Sequence, residues 1–414
     1  MRDPRASLEV ATELHADDVA AIDEQASAVA SEAALAAIRE VRARRQLPKL
    51  ADPAAPLLAV EDLRTHFKLE DGWVRAVDGV SFRLNDGEAL GLAGESGCGK
   101  TTTALSLVRL LPSNARIRKG SSIRLFGIDL VPRTEEQLRR YRWREVSIVF
   151  QGAMNALNPV IRIGDQIAEP IEIRSRESPE HARKRAAELL ELVGIPRKRA
   201  AAYPHELSGG MRQRAMIAMA LACDPAIVIG DEPTTALDVM VQAQILELLE
   251  RLRRELGLSL ILITHDLSVI AETCDRVLIM YAGKVAEEGP VRRIFAAPRH
   301  PYTQKLLGSF PNIHADRRSL ETIPGTPPDL RDPPAGCRFH PRCPAAMAVC
   351  KEVVPPEVLF ADGVRVACHL YPPGTDGSRL ITAAEVVART DRLTSGTSAP
   401  AASTADPSAA LAVE

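Results

Sequence analysis

An α/β fold, with a largely parallel sheet covered by helices on both faces, is the class this chain predicts. Three observations carry the reading. Short apolar runs of strand length alternate with helical stretches between Ala89 and Tyr281, the pattern of parallel strands buried on both faces. A glycine-rich loop, Gly94 to Thr101 (Gly-Glu-Ser-Gly-Cys-Gly-Lys-Thr), lies between one such strand and an apolar helix. That loop fits G-x-x-x-x-G-K-[ST], whose backbone N–H groups and lysine surround the phosphates of a nucleotide. Finally, 414 residues, 46% apolar and 26% charged, suffice for two or three domains with ordinary cores.

Residues 1–52 form an Ala-rich extension, with acids early (Asp17, Asp18, Asp23, Glu24) and arginines late (Arg39, Arg42, Arg44, Arg45). That polarity suits a helix macrodipole. Its apolar stripe (Val19, Ile22, Ala26, Val29, Ala33) is thin, so partial disorder is favoured over a docking helix. Asp52 to Pro56 reads as a linker. Leu57 to Val60, Val74 to Leu84 and Ala89 to Ala93 read as strands, separated by Asp71-Gly72 and Asp86-Gly87 turns. The glycine loop follows, then a helix over Thr102 to Leu111. Residues 160–222 are helix-dominated, including Pro179 to Val193 and a helix beginning near Met211. Ala226 to Gly230, Leu258 to Thr264 and Arg276 to Tyr281 read as strands, with helices over 239–256 and 267–274 between them. From Pro298 prolines become dense and cysteines gather. Past Pro373 the chain is rich in Ser, Thr, Ala and Pro and reads as unfolded, with a short helix at Ala383 to Arg389.

Within the glycine loop, Gly94, Gly97 and Gly99 permit backbone conformations that aim N–H groups at phosphate oxygens. Glu95, Ser96, Cys98 and Thr102 belong to the same run of backbone donors. Lys100 supplies a point charge to the β- and γ-phosphates, and the Thr101 hydroxyl can ligate Mg²⁺. Ile227 to Glu232 is an apolar strand ending in two carboxylates, at the sheet edge where open α/β folds bind ligands. Asp231 there would reach Mg²⁺, and Glu232 could polarise an attacking water. His265 follows Leu258 to Thr264 and so reaches the same edge, within range of the γ-phosphate. Gln151 follows the apolar run Val146 to Phe150, where an amide could bind Mg²⁺ and sense the γ-phosphate. A second glycine-rich phrase, Leu207-Ser208-Gly209-Gly210-Met211, opens a helix.

Taken in order, these segments resemble the ATP-binding cassette family: glycine loop, Gln151 loop, Leu207 to Met211, Asp231-Glu232, Ala236-Leu237-Asp238 and His265. The resemblance covers roughly residues 57–290. It implies a parallel-sheet RecA-like core, an antiparallel β subdomain and a helical subdomain at about 155–222. It also implies that Ser208, Gly209 and Gly210 bind the γ-phosphate of ATP held by an opposite subunit, with Asp238 at the nucleotide boundary. Met211 stands where the family more often has glutamine. Phe67 falls where the family places an aromatic against adenine, with Trp73 as a rival. A finer resemblance, to the ATP-binding subunits of oligopeptide and dipeptide permeases, rests on Phe150 to Pro159, Met211 to Arg214, His300 to Thr303 and Cys337 to Pro344. The partners it implies are a paralogous cassette subunit in a heterodimer, two transmembrane permease subunits and an extracytoplasmic substrate-binding protein. Nickel importers share much of the pattern, so the cargo is less defined than the machine.

Seven cysteines are unevenly spread, and Cys337, Cys343, Cys350 and Cys368 fall in one short stretch. In a reducing compartment such a group suggests metal more than disulfides. No Cys-x₂-Cys knuckle is present; four thiolates at wider spacing can hold a cubane cluster, and some relatives with this tail resemble iron–sulfur carriers, which makes a [4Fe–4S] cluster the leading expectation, with Zn²⁺ or plain buried thiols as alternatives. A net charge of −2 and the lack of a basic stripe argue against a nucleic-acid partner. No apolar run approaches the ~20 residues that span a bilayer, and no signal peptide is read at the N-terminus. The expectation is therefore a peripheral protein on the cytoplasmic face of the membrane. Its domains are expected at 1–52, 57–297, 298–372 (the small Cys-containing extension) and 373–414 (an unfolded tail). A soluble cassette ATPase acting on nucleic acid or ribosomes is the rival class, and a redox-sensing ATPase is a third.

Overall fold

The computed structural model describes residues 36, 52, 54–152, 156–235, 237–309 and 323–388. The expectations for residues 1–52, for Ala153 to Asn155, for Ala236 and for the chain after 388 lie largely or wholly outside them. A five-stranded antiparallel sheet is built from β1 (Leu58–Leu69), β2 (Gly72–Leu84), β4 (Ala115–Ile117), β5 (Ser122–Leu125) and β6 (Ile128–Asp129). β1 runs well past Val60, where the sequence suggests a stop. Glu61 and Asp62 look like a turn but form a bulge, with Asp62 at φ 47°, after which Leu63 and Thr65 return to the buried face.

A nine-stranded sheet is the other half of the frame. It holds β3 (Ala89–Ala93), β7 (Val146–Val149), β8 (Ile227–Asp231), β9 (Ser259–Ile263), β10 (Arg276–Tyr281), β11 (Lys284–Pro290), β12 (Glu357–Leu359), β13 (Arg365–Ala367) and β14 (Arg379–Leu380). Its order is β14-β12-β13-β11-β10-β3-β9-β8-β7. The five strands from β10 to β7 are parallel, in register through pairs such as Leu92 with Ile263 and Ile229 with Ile261. Every residue of β3, β8 and β9 is buried, which is why these strands read as unbroken apolar runs rather than as an alternation. Parallel pairing has a functional consequence. The carboxyl ends of β3, β7, β8 and β9 share one edge, so the segments following them converge there.

The helix after β3 spans Lys100–Leu107, shorter than the sequence suggests, because Arg109 adopts φ 55° and breaks it. Helices Ile163–Pro170, Pro179–Leu192 and Gly209–Ala220 form the helical region. Ser178 caps the second by accepting from the His181 N–H, with Pro179 at its first position. After the helix Val291–Ala296 the chain does not leave the cassette. β13 pairs with β11, the buried Arg365 guanidinium meets Glu288 and Glu357, and the Glu287 carboxylate accepts from the backbone N–H groups of Arg299 and His300. Burial pushes the Glu288 carboxyl upward, but Arg365 and Arg276 outweigh it and hold the group below its usual range. The unfolded tail needs correction over its first part. β14 pairs with β12 although both its residues are exposed, and the helix the sequence suggests there, Ala383–Ala388, packs through buried Val386, whose carbonyl accepts from buried Arg83 at 2.8 Å.

Candidate nucleotide site

Three glycines shape the loop after β3, with φ of 144° at Gly94, 77° at Gly97 and 107° at Gly99. A β-carbon on Gly94 would lie 2.2 Å from the Met280 carbonyl oxygen, and one on Gly99 would lie 2.3 Å from that of Ala76. Only glycine fits at either position. Ser96 and Gly97 are exposed at the crest of the loop. Cys98 turns inward instead, where burial pushes its thiol upward and its sulfur accepts a long contact from Lys100 Nζ at 3.8 Å. Lys100 lies buried beneath the crest, its Nζ donating to the carbonyls of Gly94 at 2.7 Å and Glu95 at 3.0 Å. A lysine held by two neutral carbonyls is a cation ready to exchange them for an anion. Thr102 is half-buried in the first turn, and its carbonyl accepts from Ser106.

The strand ends supply the rest. Thr101 donates its hydroxyl proton to Asp231 Oδ1 at 3.1 Å. Burial raises the Asp231 carboxyl above its usual range, partly offset by the Thr101 hydrogen bond, so a cation between these two oxygens would relieve a real cost. Glu232, one residue beyond β8, takes φ 48°, an uncommon conformation for a non-glycine residue that turns its carboxylate across the edge. Gln151 Nε2 donates to Glu232 Oε2 at 2.8 Å, and Thr235 Oγ1 donates to the same oxygen at 3.0 Å. His265 Nδ1 lies 3.6 Å from Glu232 Oε1, with the imidazole largely open to solvent. The structure thus brings Lys100, Thr101, Gln151, Asp231, Glu232 and His265 to one edge of the sheet. Thr235 was not anticipated; its three-residue spacing from Glu232 was the available signal.

Ser208, Gly209 and Gly210 occupy a separate place. They open the helix Gly209–Ala220, where Ser208 Oγ accepts from the Met211 N–H at 3.3 Å. This leaves a helix N-terminus with small residues at its tip, a favourable setting for an anion. A β-carbon on Gly210 would come within 2.8 Å of Val241 Cγ1, so the turn packs on the first turn of the helix Val239–Leu256. Asp238 caps that helix by accepting from the Val241 N–H at 2.9 Å. Its direct role in this chain is therefore a helix cap beside the Ser208 turn. Phe67 sits half-buried on β1 opposite Val74 and Ala115, while Trp73 is taken by the Arg118 guanidinium, 5.1 Å from its ring centre.

The four clustered cysteines are all free thiols. Burial pushes Cys368 up to about 12, with Cys337, Cys343 and Cys350 close enough to add to the shift. The Cys337 N–H donates to the Cys350 carbonyl at 2.8 Å. The expectation of a metal here needs correction in one respect. Among the described residues no group of three or more His, Cys, Asp or Glu is gathered tightly enough to hold a metal ion. The placement of these thiols therefore supports neither the [4Fe–4S] expectation nor the zinc alternative.

Comparison with known proteins agrees with this geometry. The profile of the family described as "ABC transporter" matches residues 77–235, and that of "Oligopeptide/dipeptide transporter, C-terminal region" matches 286–350. A Sinorhizobium fredii protein named "Probable peptide ABC transporter ATP-binding protein y4tR" is 49% identical over 315 residues, 75% of this chain and 94% of that protein. The Bacillus subtilis "Dipeptide transport ATP-binding protein DppD" is 48% identical over 317 residues, 76% of this chain and 94% of its own. Among solved structures, a dimeric post-hydrolysis state of the ATP-binding cassette MJ0796 bound to ADP and Pi superposes with a TM-score of 0.52 at 28% identity. It covers 57% of this chain and 99% of that one.

Proposed function

The chain belongs to the ATP-binding subunits of the ABC transporter family, and from that premise we propose that it powers peptide uptake through an ATP site completed by a second cassette. The observation that carries the reading is the Glu232 carboxylate. It is oriented by Gln151 and Thr235, faced by His265, and set beside Lys100, Thr101 and Asp231. On ATP binding Lys100 exchanges the Gly94 and Glu95 carbonyls for the β- and γ-phosphates. Thr101, Asp231 and Gln151 offer the hard oxygen donors that suit Mg²⁺, which would neutralise charge between the same phosphates. Glu232 draws a proton from the attacking water, and His265 donates to the γ-phosphate.

The remaining side of the γ-phosphate is left to the Ser208–Gly210 turn of the other cassette. Support comes from apolar exposure next to Asp238, where Val239 is 79% and Met240 73% exposed on a helix start adjoining that turn. ATP shared across the boundary favours the closed pair, and hydrolysis releases it. Val160, 77% exposed, and Ile161 follow the Gln151 segment and form the face we assign to the permease subunits. No helix among the described residues is long and apolar enough to cross a membrane, so the membrane-spanning part falls to those partners. The second cassette is taken to be a paralogue, the assembly to sit on the cytoplasmic face and the cargo to be oligopeptide or dipeptide, as the names of the relatives suggest. Proteoliposomes holding the chain, its permease subunits and its binding protein should accumulate labelled peptide only with ATP supplied to the cassette side. ATP-driven uptake of nickel in place of peptide would remove the peptide assignment.

The four-thiol group carries a finer reading, a [4Fe–4S] cluster on Cys337, Cys343, Cys350 and Cys368. The reading rests on four free thiols in one stretch, of which Cys337, Cys343 and Cys350 lie near enough to Cys368 to act on it, and on the fit of Cys₄ ligation to such a cluster. The cluster would supply a covalent staple for a small proline-rich module. Chain purified without oxygen should contain about four iron and four acid-labile sulfide atoms, lost in Cys343→Ser. Chain folded and active with neither element would refute the cluster.

A further inference from the structure

One residue of the phosphate loop is held at two of its handles by residues of the C-terminal extension, outside the loop itself. Arg342 donates from both terminal nitrogens to the Glu95 carboxylate, at 2.6 and 2.9 Å. The Glu95 backbone N–H donates to the Tyr302 hydroxyl at 2.8 Å. The third handle of Glu95, its carbonyl, accepts from Lys100 at 3.0 Å. Both outside residues are themselves fixed. The Arg342 side chain is 6% exposed, with Nε donating to the Pro324 carbonyl at 2.8 Å and a terminal nitrogen to the Tyr281 hydroxyl at 3.1 Å. Tyr302 is fully buried, its ring 4.6 Å from Tyr281 and 5.3 Å from Phe339 between centres. A bidentate guanidinium–carboxylate pair fixes distance and direction together, as a single ammonium contact does not.

We propose that Arg342 is a positioning residue for nucleotide binding: with Tyr302 it clamps Glu95, and through the Glu95 carbonyl it sets where Lys100 rests and how the loop opens to phosphate. The extension is then a working part of the ATP site. Arg342 ends the short turn His340–Arg342 and directly precedes Cys343, so the clamp stands one residue from the four-thiol group. The proposal rests on the nucleotide reading of the loop.

The test is titration of the full chain with a fluorescent ATP analogue, alongside thermal unfolding of each variant. Arg342→Gln should weaken nucleotide affinity about tenfold, the scale of a lost charge-assisted contact, with the protein still folded at the temperature of the titration. In a Glu95→Gln background the same substitution should cost little further, because both changes remove one interaction. Should Arg342→Gln not fold, Glu95→Gln reports the clamp from the loop side, with the same expected loss. Wild-type affinity in folded Arg342→Gln, together with loss of binding in Lys100→Ala, overturns the clamp and leaves the nucleotide reading intact. An undiminished effect of Arg342→Gln in the Glu95→Gln background overturns it too. Failure of the parent chain itself to bind the analogue overturns both readings.

Discussion

Glu232→Gln is expected to hydrolyse ATP at least ~100-fold more slowly than the parent chain while binding it as tightly, given the usual contribution of a general base. The amide keeps the size and most of the hydrogen bonds of the carboxylate. Thr235 still finds an acceptor in the amide oxygen, and only the capacity to take a proton disappears. Gln151, which donates to Glu232 at 2.8 Å, can keep its bond to that same oxygen. The loss should therefore fall on turnover and not on affinity. A second consequence follows from the shared site: with hydrolysis blocked, ATP should hold two cassettes together long enough to separate as a dimer. Steady-state turnover and size-exclusion chromatography with MgATP measure the two effects. Turnover within a few-fold of the parent would remove Glu232 from the role of base.

Gly209→Asp should produce a loss of similar size by a different route. The new carboxylate sits at the N-terminus of the helix Gly209–Ala220, where the helix dipole welcomes negative charge, so the chain itself should fold. The tip that meets a γ-phosphate then carries a like charge, and the new carboxylate repels the phosphate and competes for the N–H groups there. Disabling such preorganised donors costs about 10²–10³ in rate at other sites that stabilise developing negative charge. ATP binding to the isolated chain, set by Lys100 and the glycine loop, should be unchanged. Turnover by the assembled transporter should fall at least ~100-fold. A matching loss of ATP affinity in the isolated chain would mean that this turn belongs to the same chain's own site.

Much of this site was legible because its parts sit at the ends of strands that announce themselves. β3, β8 and β9 are buried throughout, so each reads as an apolar run ending in a chemically pointed residue: the glycine loop, Asp231-Glu232 and the Thr264-His265 step. What failed to show was long-range or short-lived in sequence. β12, β13 and β14 have three, three and two residues, too few to display a period, yet they extend the main sheet into the C-terminal region. β1 hid its second half behind a bulge whose Glu61-Asp62 pair mimics a turn. The Glu95–Arg342 pair joins residues 247 positions apart, and no local pattern marks either partner. Asp238 illustrates a different limit. An acid before a helix is read equally well as a cap, and capping is what its side chain does within one chain.

The central claim is that each ATP lies between the glycine loop of one cassette and the Ser208–Gly210 turn of the other. It is tested most directly by an ATP analogue bearing a photoreactive group on the γ-phosphate, applied to an assembly in which this chain carries Lys100→Ala and the other cassette is intact. Labelling of residues 208–210 on the Lys100→Ala chain is the predicted result, because the nucleotide reaching them is held by the partner's loop. Label that disappears from 208–210 with Lys100→Ala, while the partner still binds the analogue, would place both phosphate contacts in a single chain and contradict the account.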